Sequence, residues 1–166
     1  MRICKMGDQR AYVTGKNDFH SYLYKSLSPR VTINGVTGRM IADKIDPFGE
    51  HAHLPAYAGT CDIYFYPDKD GVATQAKLYS GKKMQLDFDW NHTHENKRNG
   101  KATETFHVGT VHVQEYTSVK VWSKKYKKFV DVFKRKSNNA RLMTDAEIEK
   151  YGPILHHFKP DLKFRP

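Results

Sequence analysis

Asp87, Asp89, His92 and His94 stand within eight positions in DFDWNHTHENKR, residues 87–98, which closes on Lys97 and Arg98. Carboxylates beside imidazoles invite two kinds of chemistry. Imidazole titrates near neutrality, so two of them, or one with a carboxylate, can act as general base and general acid on a 2′-hydroxyl and its phosphodiester. A neighbouring Lys or Arg then offsets the charge that builds on phosphate. The same side chains can instead hold a divalent metal. A solvated strand face running into a polar loop accounts for the same residue types without any chemistry.

Six of the nine histidines fall in three pairs between residues 51 and 112. His51 and His53 in GEHAHLP, and His92 and His94 in WNHTHEN, have a spacing that on a strand places both rings on one face. Glu50, Asp87 or Asp89 would complete a metal shell. His51 and His53 are the expected metal pair, on a pattern like the His-hydrophobic-His element of single-strand nickases. His107 and His112 are five apart, so a regular strand puts them on opposite faces unless Gly109 makes a bulge or the strand breaks. His20, His156 and His157 lie in the terminal segments and read as structural.

These residues need elements to position them. A chain of 166 residues is about one domain and can bury a core. Aromatic residues at 13% argue against disorder, because they supply much of the buried area. No apolar run approaches the ~18 residues of a membrane span. The N-terminal stretch lacks the apolar core of a signal peptide. Cys4 and Cys61 are too few and too far apart for a disulfide framework and read as reduced thiols.

Residues 17–27 predict a short helix, with Phe19, Tyr22, Leu23 and Leu27 at helical spacing and Pro29 beyond it. RVTINGVTG predicts a hairpin about Asn34-Gly35. Residues 46–60, with two Pro and two Gly, read as a loop. Strands are expected over 61–66, 72–79 and 84–90. In the last, Met84, Leu86, Phe88 and Trp90 alternate with Gln85, Asp87 and Asp89, so the two aspartates share the polar face. Residues 91–104 read as polar loop and 105–116 as another strand. Thr144 and Glu147 have capping-box spacing at the start of a second helix, which Gly152-Pro153 is expected to end. The fold class is α+β: one domain, 1–166, with a twisted, mainly antiparallel sheet and short helices near both termini.

The net charge of +10 suits a polyanionic partner. Residues 120–141 hold nine basic side chains and one acid, Asp131, with Trp122, Tyr126, Phe129 and Phe133 interleaved. SVKVW and KFVDVF predict a basic hairpin about SKKYKK. Basic groups contact phosphates and aromatics stack on bases, so Lys124, Lys125, Lys127, Lys128 and Arg135 join Lys97 and Arg98 as candidate substrate contacts.

The run AKLYSGKKMQLDFDWNHTHENKRNG followed by HVGTVHVQEY resembles a module in the C-terminal regions of bacterial polymorphic toxins and phage-associated proteins. In those, a tyrosine-bearing strand leads into a strand ending in Asp-x-Asp, a histidine follows closely, and a His-x-His comes later. Tyr79, Asp87, Asp89, His92 and His112 match, whereas Gln114 stands at the place of the last histidine. The resemblance spans residues 75–116 and implies a toxin-like nuclease, with a cognate inhibitor protein and a cytoplasmic site of action reached as part of a secreted effector.

The expectation is a small basic ribonuclease with His92, His94 and His112 as acid/base groups and Asp87 and Asp89 orienting them. RNA is the expected partner ahead of DNA, with no membrane and no obligatory cofactor, though the ligand types leave room for a divalent metal. The alternatives are a non-enzymatic binder of nucleic acid or an acidic protein, and a metal-dependent nickase or phosphodiesterase using His51 and His53.

Overall fold

The runs YVTGKN and HSYLYKS form antiparallel strands β1 (Tyr12–Asn17) and β2 (His20–Ser26) in the computed structural model, which describes residues 12–17, 20–43 and 54–166. The helix expected over 17–27 is thereby corrected to strand. Tyr22 and Tyr24 are two apart, which suits a strand, and the neighbouring strand β4 (Val36–Asp43) offers an edge: Tyr24 pairs with Asp43 and Ser26 with Ile41. Ladder pairing of this kind outweighs a modest helical preference.

β3 (Val31–Ile33) joins β4 through Asn34 and Gly35, whose positive φ angles of 55° and 77° make the expected hairpin turn. The expected middle strands follow as β5 (Ile63–Pro67), β6 (Ala73–Ser80) and β7 (Lys83–Asp89). The expected polar loop at 91–104 is instead a second hairpin, β8 (His94–Arg98) with β9 (Lys101–Phe106). Asn99 and Gly100, with φ of 53° and 77°, repeat the Asn-Gly turn. β10 (His112–Ser123) and β11 (Lys128–Arg135) form the expected basic hairpin.

Among the described residues the main sheet has nine strands in the order β1-β2-β4-β5-β6-β7-β10-β11, with β3 also on β4. Among these described strands only β4 with β5 is parallel. Since β8 and β9 form a separate two-stranded sheet, β7 pairs directly with β10. The first third of β10 lies on β7, and the rest extends with β11 as a two-stranded arm.

One face of the sheet carries Phe65, Ala76, Phe88 and Val113 and packs on helix α1 (Asp145–Phe158) through Ile154 and Leu155. Phe65 stacks on Phe158 at 4.2 Å between centroids. The opposite face carries Tyr64, Tyr66, Tyr79 and Met84, covered by Leu54, Ala56 and Ala58. Met84 departs from the expected alternation. Leu78 pairs with Leu86 but Tyr79 pairs with Met84, so Gln85 is an extra residue in a bulge that turns Met84 to the tyrosine face. Beyond the bulge Phe88 and Trp90 are buried in the helix-side core, with Leu86 packed against it, as expected, and Asp87 and Asp89 share the other face.

Thr144 and Glu147 form the expected capping box. Gly152-Pro153 does not end the helix, which runs on to Phe158. Proline removes the N–H that would bond the carbonyl four residues back. That carbonyl, Glu149 O, accepts instead from Asn34 Nδ2 at 2.9 Å, and burial of Ile154 and Leu155 rewards the continued turn. The architecture is α+β with one helix among the described residues, too short to cross a membrane. Cys61 is a buried free thiol; Cys4 and residues 46–53 of the expected loop lie outside the described residues.

Candidate active site

β7 ends at Asp89, and Trp90 anchors the exit by burying its indole and donating Nε1 to Ala73 O at 3.0 Å. The chain then turns through His92 into β8, which opens on His94. β8 is tied to residues 139–140 by two asparagine clamps. Asn96 Nδ2 donates to Ala140 O and Asn96 Oδ1 accepts from Ala140 N, both at 2.7 Å. Asn139 does the same for the backbone of Lys97, at 3.0 and 3.1 Å. Arg141 in turn exchanges two backbone hydrogen bonds with Val113 of β10, and Gln114 Nε2 donates to Asn138 O. β8 is thus fixed relative to β10, whose first residue, His112, lies directly across the ladder from Asp89.

Three imidazoles meet there. The His112 ring lies 5.1 Å from His92 and 5.2 Å from His94, centroid to centroid. One ring nitrogen from each lies within 4.8 Å of the other two. Asp89 Oδ1 sits 3.4 Å from His92 Nδ1. Phe106 stacks on His112 from the β9 side at 5.9 Å. His112 is 1% exposed, His94 half-buried and His92 exposed, so the cluster opens to solvent through His92. Burial lowers the His112 pKa to about 4, with His92 and His94 adding to the effect and Asp89 opposing it. His112 is therefore neutral at neutral pH. Two buried nitrogens, His112 Nδ1 and His94 Nε2, make no hydrogen bond among the described residues.

The expected catalytic group divides. His92, His94, His112 and Asp89 come together, but Asp87 belongs to a neighbouring network on the same sheet face. It accepts from Tyr116 Oη at 2.6 Å and lies 3.8 Å from Lys77 Nζ. Arg135 Nε donates to Tyr116 Oη at 3.3 Å. Burial lowers the Lys77 pKa despite Asp87 beside it, and burial followed by Asp87 pushes the Tyr116 phenol up to about 12. Lys77, Tyr116 and the clamp residue Asn96 were not singled out from sequence. Lys77 had a signal, a polar position two residues before Tyr79 on a strand, whereas nothing local marks Asn96.

Lys97 and Arg98 are exposed on β8, beside the cluster in sequence. Lys124, Lys125, Lys127 and Lys128 are exposed at the arm tip, which starts at Ser123, roughly 35 Å from His112 by strand rise. Trp122 and Phe129 pair edge to face at the tip, 52% and 65% exposed. Arg135 stands at the arm's root, in the Tyr116–Asp87 network. His107 is exposed and separated from β10 by the turn at 107–111, so the strand expected over 105–116 is broken there and His107 lies outside the cluster. His51 and His53 lie outside the described residues. A cleft lined by Gly35, Asp62, Leu78, Tyr79, Ser80 and Lys150 contains none of the candidate acid/base, substrate-contact or metal residues.

No protein-family model, curated protein or solved structure matches the chain.

Proposed function

We propose that the chain is a nuclease that cleaves phosphodiester bonds in RNA at the His92–His94–His112 cluster. The observation that carries this reading is the convergence of three imidazoles, His92 from the β7–β8 turn, His94 from the start of β8 and His112 from the start of β10, beside Asp89 on a sheet end open to solvent. Cleavage of RNA needs the 2′-hydroxyl to lose a proton as it attacks phosphorus and the departing 5′-oxygen to gain one. Imidazoles serve this either as acid and base themselves or by holding an ion whose bound water does so. Lys97 and Arg98 supply positive charge for the phosphoryl oxygens. The net charge of +10 favours a polyanion, and the arm adds lysines and exposed aromatics for the strand beyond the scissile bond.

The arm's distance from the cluster favours one competing reading, a binder of nucleic acid that does no chemistry. Incubating the full chain with single-stranded RNA and with DNA of the same sequence separates the two. The nuclease reading expects RNA products whose rate falls roughly 10²- to 10⁴-fold in His92→Ala. Changing Lys124, Lys125, Lys127 and Lys128 to Glu should weaken binding and make its salt dependence shallower while leaving the cluster intact. Binding that follows the arm, with no cleavage with or without added divalent metal, identifies the binder instead.

A further inference from the structure

We infer that His92, His94 and His112 form a three-histidine centre for a divalent transition-metal ion. This deepens the nuclease reading, because it names what the cluster holds, and it rests on the same residues. Its first support is geometric. The three ring nitrogens lie within 4.8 Å of one another. A tetrahedral ion with bonds of ~2.0–2.1 Å holds its nitrogens about 3.3 Å apart. Closing that gap takes a small inward movement, and His92, on an exposed turn, is free to make it.

The second support is what the buried nitrogens lack. Proteins satisfy buried polar atoms, and those left bare cost about 1–3 kcal/mol each. His112 is 1% exposed, and its Nδ1, with His94 Nε2, makes no hydrogen bond among the described residues. Water-facing imidazoles would not leave this pattern. One ring nitrogen from each of the three histidines, with two buried ring nitrogens bare and Phe106 stacked alongside, offers an ion's first coordination shell.

The third support is Asp89. A ligating histidine commonly gives its other ring N–H to a carboxylate, which fixes the tautomer and raises ligand basicity. Asp89 Oδ1 lies 3.4 Å from His92 Nδ1, and an Nδ1 turned to that carboxylate would offer Nε2 to an ion. Three imidazole nitrogens suit zinc and related ions, not magnesium or calcium, which prefer oxygen. Three protein ligands leave a coordination position for water or a phosphoryl oxygen, and the exposed His92 side is where it opens.

The test titrates the EDTA-dialysed full chain with Co2+ and with Zn2+, without nucleic acid, by calorimetry and by the visible absorption of cobalt. We expect one equivalent per chain and the intense band of four- or five-coordinate cobalt. Asp89→Asn should weaken affinity roughly 10- to 100-fold, and His92→Ala and His94→Ala by more than that. Circular dichroism of the exposed-site variant His92→Ala controls for folding where a change at buried His112 would not. No binding, or binding of undiminished affinity in both histidine variants, overturns the proposal. Binding with these losses upholds the metal centre even where no RNA is cleaved, and cleavage without binding upholds the nuclease alone.

Discussion

Asn96→Ala should destabilise the protein out of proportion to the size of the change. Asn96 and Ala140 are 5% and 7% exposed, and the side-chain amide satisfies both the N–H and the C=O of Ala140 at 2.7 Å. Truncation leaves two buried backbone groups without partners, at about 1–3 kcal/mol each. Removing the buried amide itself recovers part of that, so a net loss of about 3 kcal/mol is expected. For a chain of this length each kcal/mol moves Tm by about 2–4 °C, which gives a fall of roughly 6–12 °C. Asn139→Ala is the control. It makes the same paired contacts, to the backbone of Lys97, but on the exposed side, where water replaces them, and it should cost about 1 kcal/mol or less. Urea unfolding reads both as shifts in midpoint at constant slope. The clamp also holds the strand that carries His94, so cobalt affinity should fall in Asn96→Ala although Asn96 touches no imidazole. Equal losses of stability in the two variants would refute the burial argument.

Two further outcomes follow from other contacts. Asn34→Asp keeps a residue that tolerates the left-handed turn but cannot donate to Glu149 O, the carbonyl freed by Pro153; calorimetry should show a loss of about 1 kcal/mol, and an unchanged Tm would mean that water serves that carbonyl equally well. Lys83, then Lys120, hydrogen-bonds Asp131 and lowers its pKa to about 2, so this stabilisation is complete above about pH 4 and is lost as pH falls toward 2; Asp131→Asn should flatten that part of the acid-unfolding curve, and identical curves would dismiss the contribution.

The strands with alternating apolar residues were legible in the sequence, and so were the capping box, the basic hairpin and the Asn34-Gly35 turn, because each rests on contacts within a few residues. β8 and β9 were not. Four of the five β8 residues and five of the six β9 residues are at least partly exposed, so no apolar alternation announces them. The Asn99-Gly100 dipeptide was the available signal, identical in kind to the turn that was read correctly, and it was outweighed by the polarity around it. The helix expected at 17–27 failed for the complementary reason. Its spacing fitted a helix, but the decisive contact is with β4, whose pairing edge is set by residues 41–43. Pro153 was read as a stop because the sequence does not show that Asn34, more than a hundred positions away, would take over the orphaned carbonyl.

The same limit explains why the Asp-x-Asp motif splits. Asp87 and Asp89 lie two apart on one strand and face the same way, and by spacing they are equivalent. Their cross-strand neighbours differ. Asp87 lies between Lys77 of β6 and Gln114 of β10, within reach of Tyr116, and it is committed to a cation and a phenol. Asp89 lies between Gln75 and His112, at the strand end where His92 turns back, and its carboxylate meets an imidazole. What each carboxylate can do is set by the ladder on either side of it. That ladder exists only because the β8–β9 hairpin loops out as a separate sheet and lets β10 pair with β7. A one-residue slip of β10 would send His112 to the helix-side core and dissolve the cluster, since side chains alternate faces along a strand. The Val113–Arg141 backbone pair and the Asn96–Ala140 clamp oppose that slip, and the position of the three imidazoles depends on them as much as on the histidines themselves.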